Sequence, residues 1–436
     1  MDHTLVALLV MFGALIGLLG AGIWVAVALV GIGSTALALF TPVPVSSLVA
    51  STLWEASWQW PLTALPLFIW MGEILFRTRL SRDMFNGLAP WVSWLPGRLL
   101  HVNVLGCGIM AAVAGSSAVT ATTIGRMSLP ELQARGYDER LMIGTLAGSG
   151  TLGLIIPPSV VLIVYGILAQ QSIARLFVAG ILPGLLLMGL FMGYVAIWSL
   201  LNRHRMPARE PSLSLVEKLR RSARLIPMIV LIIAVIGSIY SGIATPTESA
   251  TFGILGALLI AMATGTLSWQ SFRDSLMSAT RISCMIAFII VTASVLSSAV
   301  AFIGIPQYLA GIVDQMQLSP GWLLLILTLI FIVLGCFLEG VSILVLSSAM
   351  ILPMLSSAGI DLLWFGIYAV IIIEMAQITP PVGFNLFVLQ SITGRSIWQV
   401  TCSTIPFFLL LCLAAFIITL IPGLVTWLPS LGRAGS

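Results

Sequence analysis

Long apolar segments alternate with short polar loops along most of this chain. Apolar runs of about twenty residues predict membrane-spanning helices. Strands of a membrane barrel would alternate apolar and polar residues, and these runs do not. The pattern therefore predicts an all-α polytopic protein embedded in a lipid bilayer. Single spans are expected at 4–20, 22–40, 61–76, 173–201, 225–243, 246–267 and 283–304.

The composition narrows the class of protein further. Of the 436 residues, 59% are hydrophobic and 8% are charged, whereas about 25% of the residues in a soluble domain are charged. The three histidines belong to no metal-binding or hydrolase motif, so an enzyme is not expected. The five cysteines lie inside apolar runs and are interpreted as packing residues. The net charge of +4 comes from arginines in loops and does not imply a nucleic-acid partner.

The distribution of arginine and lysine predicts which loops face the cytoplasm. The segment 203–224 holds the densest cluster of cations, and positively charged loops stay inside. The segments 77–98 and 126–140 also carry several arginines. Because both flanks of 99–125 are positive, this segment is expected to enter and leave on one side as a re-entrant hairpin. The segments 77–98 and 268–282 combine arginines with aromatic residues and are predicted to be connecting arms along the cytoplasmic interface.

Prolines reveal an internal repeat. Three proline positions of the first half recur 223 residues later in the second half: Pro130 and Pro353, Pro157-Pro158 and Pro380-Pro381, Pro183 and Pro406. The loops that correspond to the two arginine-rich loops, 300–321 and 349–363, contain no cation. By the positive-inside rule, the second half is therefore expected to be inverted in the membrane.

The repeat predicts the domain organisation. We expect a first repeat at 1–202, a basic cytoplasmic linker at 203–224 and an inverted second repeat at 225–436. Each repeat is expected to contain one arm, one hairpin and one broken span. The arms are 77–98 and 268–282, the hairpins are 99–125 and 321–348, and the broken spans are 141–170 and 361–393. The expected total is about ten transmembrane helices plus the two re-entrant hairpins.

The hairpin tips carry polar residues inside apolar surroundings. The segment 115–123 has Gly115 followed by several hydroxyl side chains, which suits a tip where the backbone leaves helical geometry and a dehydrated Na⁺ is bound. In its counterpart, Glu339 is an ionisable group within the membrane, which marks an ion, proton or substrate path. The alternatives are close packing of small residues at 115–123 and a water-filled hairpin mouth around Glu339.

The double prolines predict a break in each of these two spans, within 148–159 and within 374–385. Each pair removes two amide donors and disfavours helix at the preceding residue, so each span is expected to split. The freed carbonyl groups are candidate cation ligands. The half-helix that starts at each proline pair is expected to point its positive N-terminus at the gap, where an anionic substrate would be stabilised. A plain structural kink is the alternative, but it does not explain why both halves break at equivalent positions.

Five blocks of residues in this order resemble the large membrane subunit of tripartite ATP-independent periplasmic (TRAP) transporters. The resemblance spans essentially the whole chain, and its blocks are 115–117, 154–159, 244–248, 335–340 and 378–385. It implies an elevator-type ion-transporter fold and a Na⁺-coupled importer of the bacterial inner membrane. It also implies a small TRAP membrane subunit and a periplasmic substrate-binding protein as partners, and a carboxylate as substrate.

The resemblance also implies the positions of the sites. Na⁺ sites map to Gly115, Ser116, Ser117, Thr120, Gly153, Pro157, Glu339, Gly340, Thr379, Gly383 and Asn385. The substrate is expected between the hairpin tips, near Ser116, Ser159 and Glu339. Because no arginine lies deep in an apolar run to pair with a carboxylate, substrate specificity is expected to depend on the binding protein.

Three other functions are alternatives to transport with a binding protein. A stand-alone Na⁺/carboxylate symporter of the wider ion-transporter superfamily would share the repeats and hairpins but would need no soluble partner. An intramembrane enzyme would require a nucleophile, a base or a metal set, which the histidine and cysteine positions do not supply. A purely structural subunit would not require paired discontinuous segments or Glu339.

Overall fold

The computed structural model describes residues 3–78, 80–207, 213–315, 319–336, 338–380 and 383–431. Every regular element in these ranges is a helix. The first half contains α1 (His3–Gly20), α2 (Val25–Phe40), α3 (Val45–Ser57), α4 (Ala64–Phe76), α5 (Leu80–Val92), α6 (Leu100–Ala114), α7 (Ser117–Ala134), α8 (Glu139–Gly150), α9 (Leu152–Ile155), α10 (Val160–Leu168) and α11 (Ile173–Leu201).

The second half follows the basic linker. It contains α12 (Leu215–Ser222), α13 (Ile226–Tyr240), α14 (Pro246–Ala263), α15 (Trp269–Ile303), α16 (Ile305–Gln315), α17 (Pro320–Gly335), α18 (Gly340–Ser357), α19 (Leu362–Gln377), α20 (Phe384–Thr393), α21 (Ile397–Leu420) and α22 (Gly423–Leu431). Short 3-10 helices occupy Trp60–Thr63, Arg203–Arg205 and Ala223–Leu225. The all-α prediction is confirmed.

The long apolar helices support a multi-pass membrane protein. Within the described ranges, seven helices are long and apolar enough to cross a membrane. An eighth span is obtained by joining Glu139–Ile155 to Val160–Leu168, which meet at a bend of 41°. Several other predicted spans correspond to shorter apolar helices, of which α2 has 16 residues. The total of ten spans therefore stays a prediction.

The repeat predicted from prolines extends to helix boundaries and caps. Helix α7 begins at Ser117 and α18 begins at Gly340, and both start and end positions differ by 223 residues. The aspartates that cap α8 and α19 are separated by the same offset, because Asp138 accepts from the amide of Leu141 and Asp361 from the amide of Leu363. The inverted orientation of the second repeat stays a prediction.

The arm predicted at 268–282 is not a separate element. It is the first part of α15, which has 35 residues and is therefore about 52 Å long. The helix is continuous because no glycine or proline occurs within it, and it ends where Gly304 adopts a φ of 81°. This length exceeds the hydrocarbon thickness of about 30 Å, so part of the helix extends beyond that layer.

The corresponding stretch of the first repeat is divided. Pro61 lies in a short 3-10 helix that separates α3 from α4, and α3 was not predicted from the sequence. The second helices of the hairpins also extend further than expected. Helix α7 continues to Ala134, beyond the predicted boundary at 125, and α18 continues to Ser357, beyond 348. Proline inside each of these helices does not end it.

Two groups of helices position the polar segments. In the first group, α2, α3 and α4 pack against α15, and α14 packs against α4. Trp70 Nε1 of α4 donates to Ser275 Oγ of α15 at 3.3 Å. Helix α19 lies at the centre of the second group, with every side chain from Leu363 to Gln377 buried. It packs against α11, α17, α18 and α21. We call α6 with α7 hairpin 1 and α17 with α18 hairpin 2.

Candidate ion and substrate site

The tip of hairpin 1 is formed by residues 115–117. Gly115 ends α6 with a φ of 58°, a left-handed conformation that glycine adopts without steric cost. A Cβ atom at this position would lie 3.0 Å from the carbonyl oxygen of Pro158. Ser116 then begins α7 as its N-cap in an extended conformation. The tip therefore packs directly against the proline loop of the first broken span.

Gly153 brings the first broken span even closer to this tip. A Cβ atom on Gly153 would lie 2.6 Å from the carbonyl oxygen of Ser116 and 2.7 Å from Cα of Ser117. Both neighbours are backbone atoms, so only a residue without a side chain fits between α9 and the tip. The sequence prediction that Gly115, Ser116, Ser117 and Gly153 lie together is consistent with these contacts.

Gln377 joins the two repeats. The hydroxyl of Ser117 donates to Gln377 Oε1 at 2.8 Å, and both side chains are buried. A Cβ atom on Gly340 would lie 2.7 Å from Gln377 Nε2 and 3.3 Å from Leu154 Cδ1. The tip of hairpin 2 thus meets the first broken span at Leu154 and the second at Gln377. Both hairpin tips and both broken spans converge around this one amide.

Two of the buried residues predicted as Na⁺ ligands have polar side-chain atoms without partners among the described residues. Thr120 is 0% exposed, and its hydroxyl forms no hydrogen bond. Asn385 is 1% exposed, and neither its amide nitrogen nor its amide oxygen has a partner. Buried polar groups are normally satisfied, because leaving one unpaired costs about 1–3 kcal/mol. Hydroxyl and amide oxygens suit a hard cation, so both residues fit the predicted Na⁺ sites.

Backbone carbonyl groups add oxygens near the second broken span. Gly383 has a φ of 33°, and a Cβ atom there would lie 2.7 Å from the Thr379 carbonyl and 3.0 Å from the Gln377 carbonyl. The Thr379 hydroxyl donates to the carbonyl of Met375 at 2.6 Å, so it closes the last turn of α19. Glycine therefore lets the backbone pass close to two carbonyl oxygens where α19 ends, and the role of these carbonyl groups as cation ligands stays a prediction.

Three predicted site residues have different surroundings. Glu339 is exposed at the N-cap of α18, and its side chain makes no capping hydrogen bond. Ser159 is buried, and its hydroxyl accepts from the amide of Leu162 at 3.3 Å to cap α10. Pro157 lines an apolar cleft of about 350 Å³ between α6, α11 and α13. Their assignment to ion or substrate contacts stays a prediction.

Sequence reasoning missed two buried polar residues of α19. Gln377 is 2% exposed and makes the contact between repeats described above. Glu374 is also 2% exposed, and neither carboxylate oxygen has a hydrogen bond of normal geometry among the described residues. The Ser117 side chain and the Leu154 backbone face this carboxylate. The signal in the sequence for Glu374 is that it is an acidic residue within a predicted span. The sequence prediction instead relied on the proline pair that follows it.

The long apolar helices and the two convergent broken segments define a multi-pass membrane protein with an organisation typical of secondary transporters. In the described part of the chain, no group of three or more histidine, cysteine or acidic side chains is placed to hold a catalytic metal. Residues 10–424 match the family described as tripartite ATP-independent periplasmic transporter, DctM component. The chain belongs to this family, whose members are large permease subunits of TRAP transporters.

Individual relatives match over nearly the whole chain. It is 32% identical over 403 residues to the C4-dicarboxylate TRAP transporter large permease protein DctM of Pseudomonas aeruginosa, covering 91% of this chain and 92% of the relative. It is 31% identical over 438 residues to the protein of the same name from Rhodobacter capsulatus, covering 97% and 99%.

Two solved structures share the fold. The YdaH transporter of Alcanivorax borkumensis superposes with a TM-score of 0.64 at 12% identity, covering 93% of this chain and 96% of that chain. MtrF of Neisseria gonorrhoeae superposes with a TM-score of 0.53 at 10% identity, covering 86% and 83%. The chain therefore has the fold of membrane transporters.

Proposed function

We propose that this chain is the transport subunit of a Na⁺-coupled TRAP importer that carries an organic acid across the bacterial inner membrane. The observation that carries this proposal is the pair of orphaned buried side chains, Thr120 and Asn385, beside the converging hairpins and broken spans. A bound cation would relieve the cost of both unpaired groups. The internal repeat, together with the predicted inversion of its second half, supports the same proposal, because inverted repeats are typical of secondary transporters.

An acid is the substrate class that the relatives favour. They include permeases named for C4-dicarboxylates, for isethionate and for sialic acid, all of which carry an acid group. Anions gain from the positive N-termini of helices. Helices α10 and α20 begin directly after the two breaks, so their N-termini would attract a carboxylate bound near the breaks.

The proposed transport mechanism is an elevator mechanism, which the division of the helices into two groups supports. Hairpin 1, hairpin 2 and both broken spans contact one another or α19 and would move as one body. Helices α2, α3, α4, α14 and α15 form the group that would remain fixed as a scaffold. The partners in this proposal are a small TRAP membrane subunit, which would extend the scaffold, and a periplasmic binding protein, which would deliver the acid.

Uptake into proteoliposomes tests the proposal. The chain and its small subunit are reconstituted together, and radiolabelled succinate, isethionate and sialic acid are added with and without a Na⁺ gradient and the binding protein. Accumulation that requires both Na⁺ and the binding protein is the expected result. Accumulation with Na⁺ alone would favour the stand-alone symporter, and accumulation independent of Na⁺ would contradict the assigned role of Thr120 and Asn385.

A further inference from the structure

A second polar cleft lies away from the hairpin tips, between α4, α5 and α7. Its volume is about 510 Å³, within the range of about 300–1,000 Å³ typical of small-molecule sites. Its walls include Asn86 of α5 and Thr123, Arg126 and Glu131 of α7. The cleft therefore separates a helix of hairpin 1 from the arm that precedes it.

Arg126 is the cation in this wall that remains available to a ligand. No hydrogen bond or ion pair joins it to another residue in the described part of the chain. The acidic residue of the same wall, Glu131, is paired with Arg135 at 3.4 Å. The carboxylate most able to neutralise Arg126 is thus already engaged one turn away.

Neighbouring arginines differ from Arg126 in this respect. Arg77 contacts Glu73 at 3.3 Å and donates to Ser278 Oγ at 3.0 Å. On the other side of α7, Arg126 also lines a smaller cleft of about 290 Å³, whose other cation, Arg395, pairs with Glu139 at 2.5 Å. Because both of these cations are neutralised, Arg126 is the arginine that an anion would engage, and the larger of the two clefts that it lines offers more room for a ligand.

Other donors complete the recognition of an anion. Thr123 is 7% exposed, and its hydroxyl has no hydrogen-bond partner among the described residues. Asn86 is exposed in the opposite wall and offers an amide donor. The hydroxyl of Thr122 already donates to the carbonyl of Ala118 at 2.7 Å, so it is not a free donor. A guanidinium with a hydroxyl and an amide is a donor set that matches a carboxylate.

We propose that this cleft is a second carboxylate site on the release side of the transport path, with Arg126 as its principal anion contact. The inference rests on the proposed function. Arg126 lies nine residues beyond Ser117 along α7, which places it about 14 Å from the tip. The segments on either side of the cleft, 77–98 and 126–140, are those that the arginine distribution predicts to face the cytoplasm.

The experiment compares binding from the two sides of the membrane. Proteoliposomes contain the chain and its small subunit, with the binding protein and Na⁺ outside only, so uptake reports molecules in one orientation. Labelled succinate, isethionate and sialic acid are the external probes, and increasing unlabelled probe is enclosed inside. The variants are Arg126→Gln, Arg126→Lys and Arg140→Gln, since Arg140 is an exposed arginine at the start of α8 that lines neither cleft.

The measured quantity is the internal concentration of unlabelled probe that halves the uptake of the accumulated probe. Arg126→Gln is expected to raise this concentration about tenfold or more. The external KM should change less than twofold. Arg126→Lys should have a smaller effect, and Arg140→Gln should stay within twofold of wild type. Equal internal inhibition in Arg126→Gln and wild type would overturn the second site and leave the proposed function intact. If wild type accumulates none of the three probes, the proposed function and this inference both fail.

Discussion

Gly153→Ala is the sharpest test of the contact between the first broken span and hairpin 1. The new Cβ atom would lie 2.6 Å from the Ser116 carbonyl oxygen, whereas ordinary contacts begin at 3.4 Å. The two segments must therefore separate by about 0.8 Å, because backbone atoms cannot rotate away as a side chain can. Binding constellations tolerate displacements of only about 0.5 Å, so ligands contributed by the tip leave their productive positions.

Gly153→Ala is expected to weaken Na⁺ binding while leaving the protein stable enough to fold. Overpacking costs about 1–3 kcal/mol, and alanine recovers about 1 kcal/mol within the helix relative to glycine. The net loss of stability is therefore about 0–2 kcal/mol, which leaves the protein folded. We expect the half-saturating Na⁺ concentration to rise about tenfold, which is equivalent to a loss of about 1.4 kcal/mol in Na⁺ binding.

The assay is Na⁺-dependent uptake in proteoliposomes, accompanied by thermal unfolding of the purified complex. Gly189→Ala is the matched control, since a Cβ atom added there, on the exposed face of α11, meets nothing within 4 Å. It should retain wild-type Na⁺ dependence and should be stabilised by about 0.5–1 kcal/mol, the gain of alanine over glycine inside a helix. If Gly153→Ala also retains wild-type Na⁺ dependence, the reasoning that the tip must contact Gly153 to bind the ion is refuted.

Three further predictions concern individual polar groups. Thr120→Val should stabilise the Na⁺-free protein by about 1 kcal/mol, because it removes an unpaired hydroxyl, and should abolish the stabilisation by Na⁺ in thermal unfolding. Thr280→Val, on the exposed face of α15, is the control. If Thr120→Val is still stabilised by Na⁺, Thr120 is not a Na⁺ ligand. Asn385→Ala should raise the half-saturating Na⁺ concentration at least tenfold, which corresponds to a loss of about 1.4 kcal/mol or more in Na⁺ binding. Full Na⁺-dependent uptake by this variant would exclude Asn385 from the site. Ser117→Ala and Gln377→Leu should show a coupling of about 0.5–1.5 kcal/mol in a double-mutant cycle of thermal unfolding, and additive effects would refute their hydrogen bond.

Local signals in the sequence predicted the helices around the breaks well. The prolines set the repeat offset, and helix boundaries that depend on local caps recur at the same offset, as Asp138 and Asp361 show. The prediction of a helix boundary was less accurate where no glycine or proline marks the position. The boundary expected at 282 does not exist, because neither glycine nor proline interrupts α15 there.

The polar site was predicted in part. The tip residues 115–117 were identified because a glycine followed by hydroxyls is unusual inside an apolar run. Gln377 and Glu374 were missed because their significance depends on partners that are distant along the chain. The Ser117–Gln377 bond joins residues 260 positions apart, and hydrophobic periodicity carries no information about such a pairing.

The sequence by itself determined that this chain is a repeated, all-α membrane protein with two broken segments, because apolar length and proline chemistry act locally on the backbone. Only the tertiary structure decided which polar groups are left unpaired. Thr120 and Thr122 are both threonines of α7, yet Thr122 donates to the Ala118 carbonyl whereas Thr120 has no partner among the described residues. Likewise, the significance of Arg126 depends on its neighbours, since ion pairs neutralise the nearby Arg77 and Arg395. Burial and pairing are properties of packed surfaces, which arise only when distant segments meet.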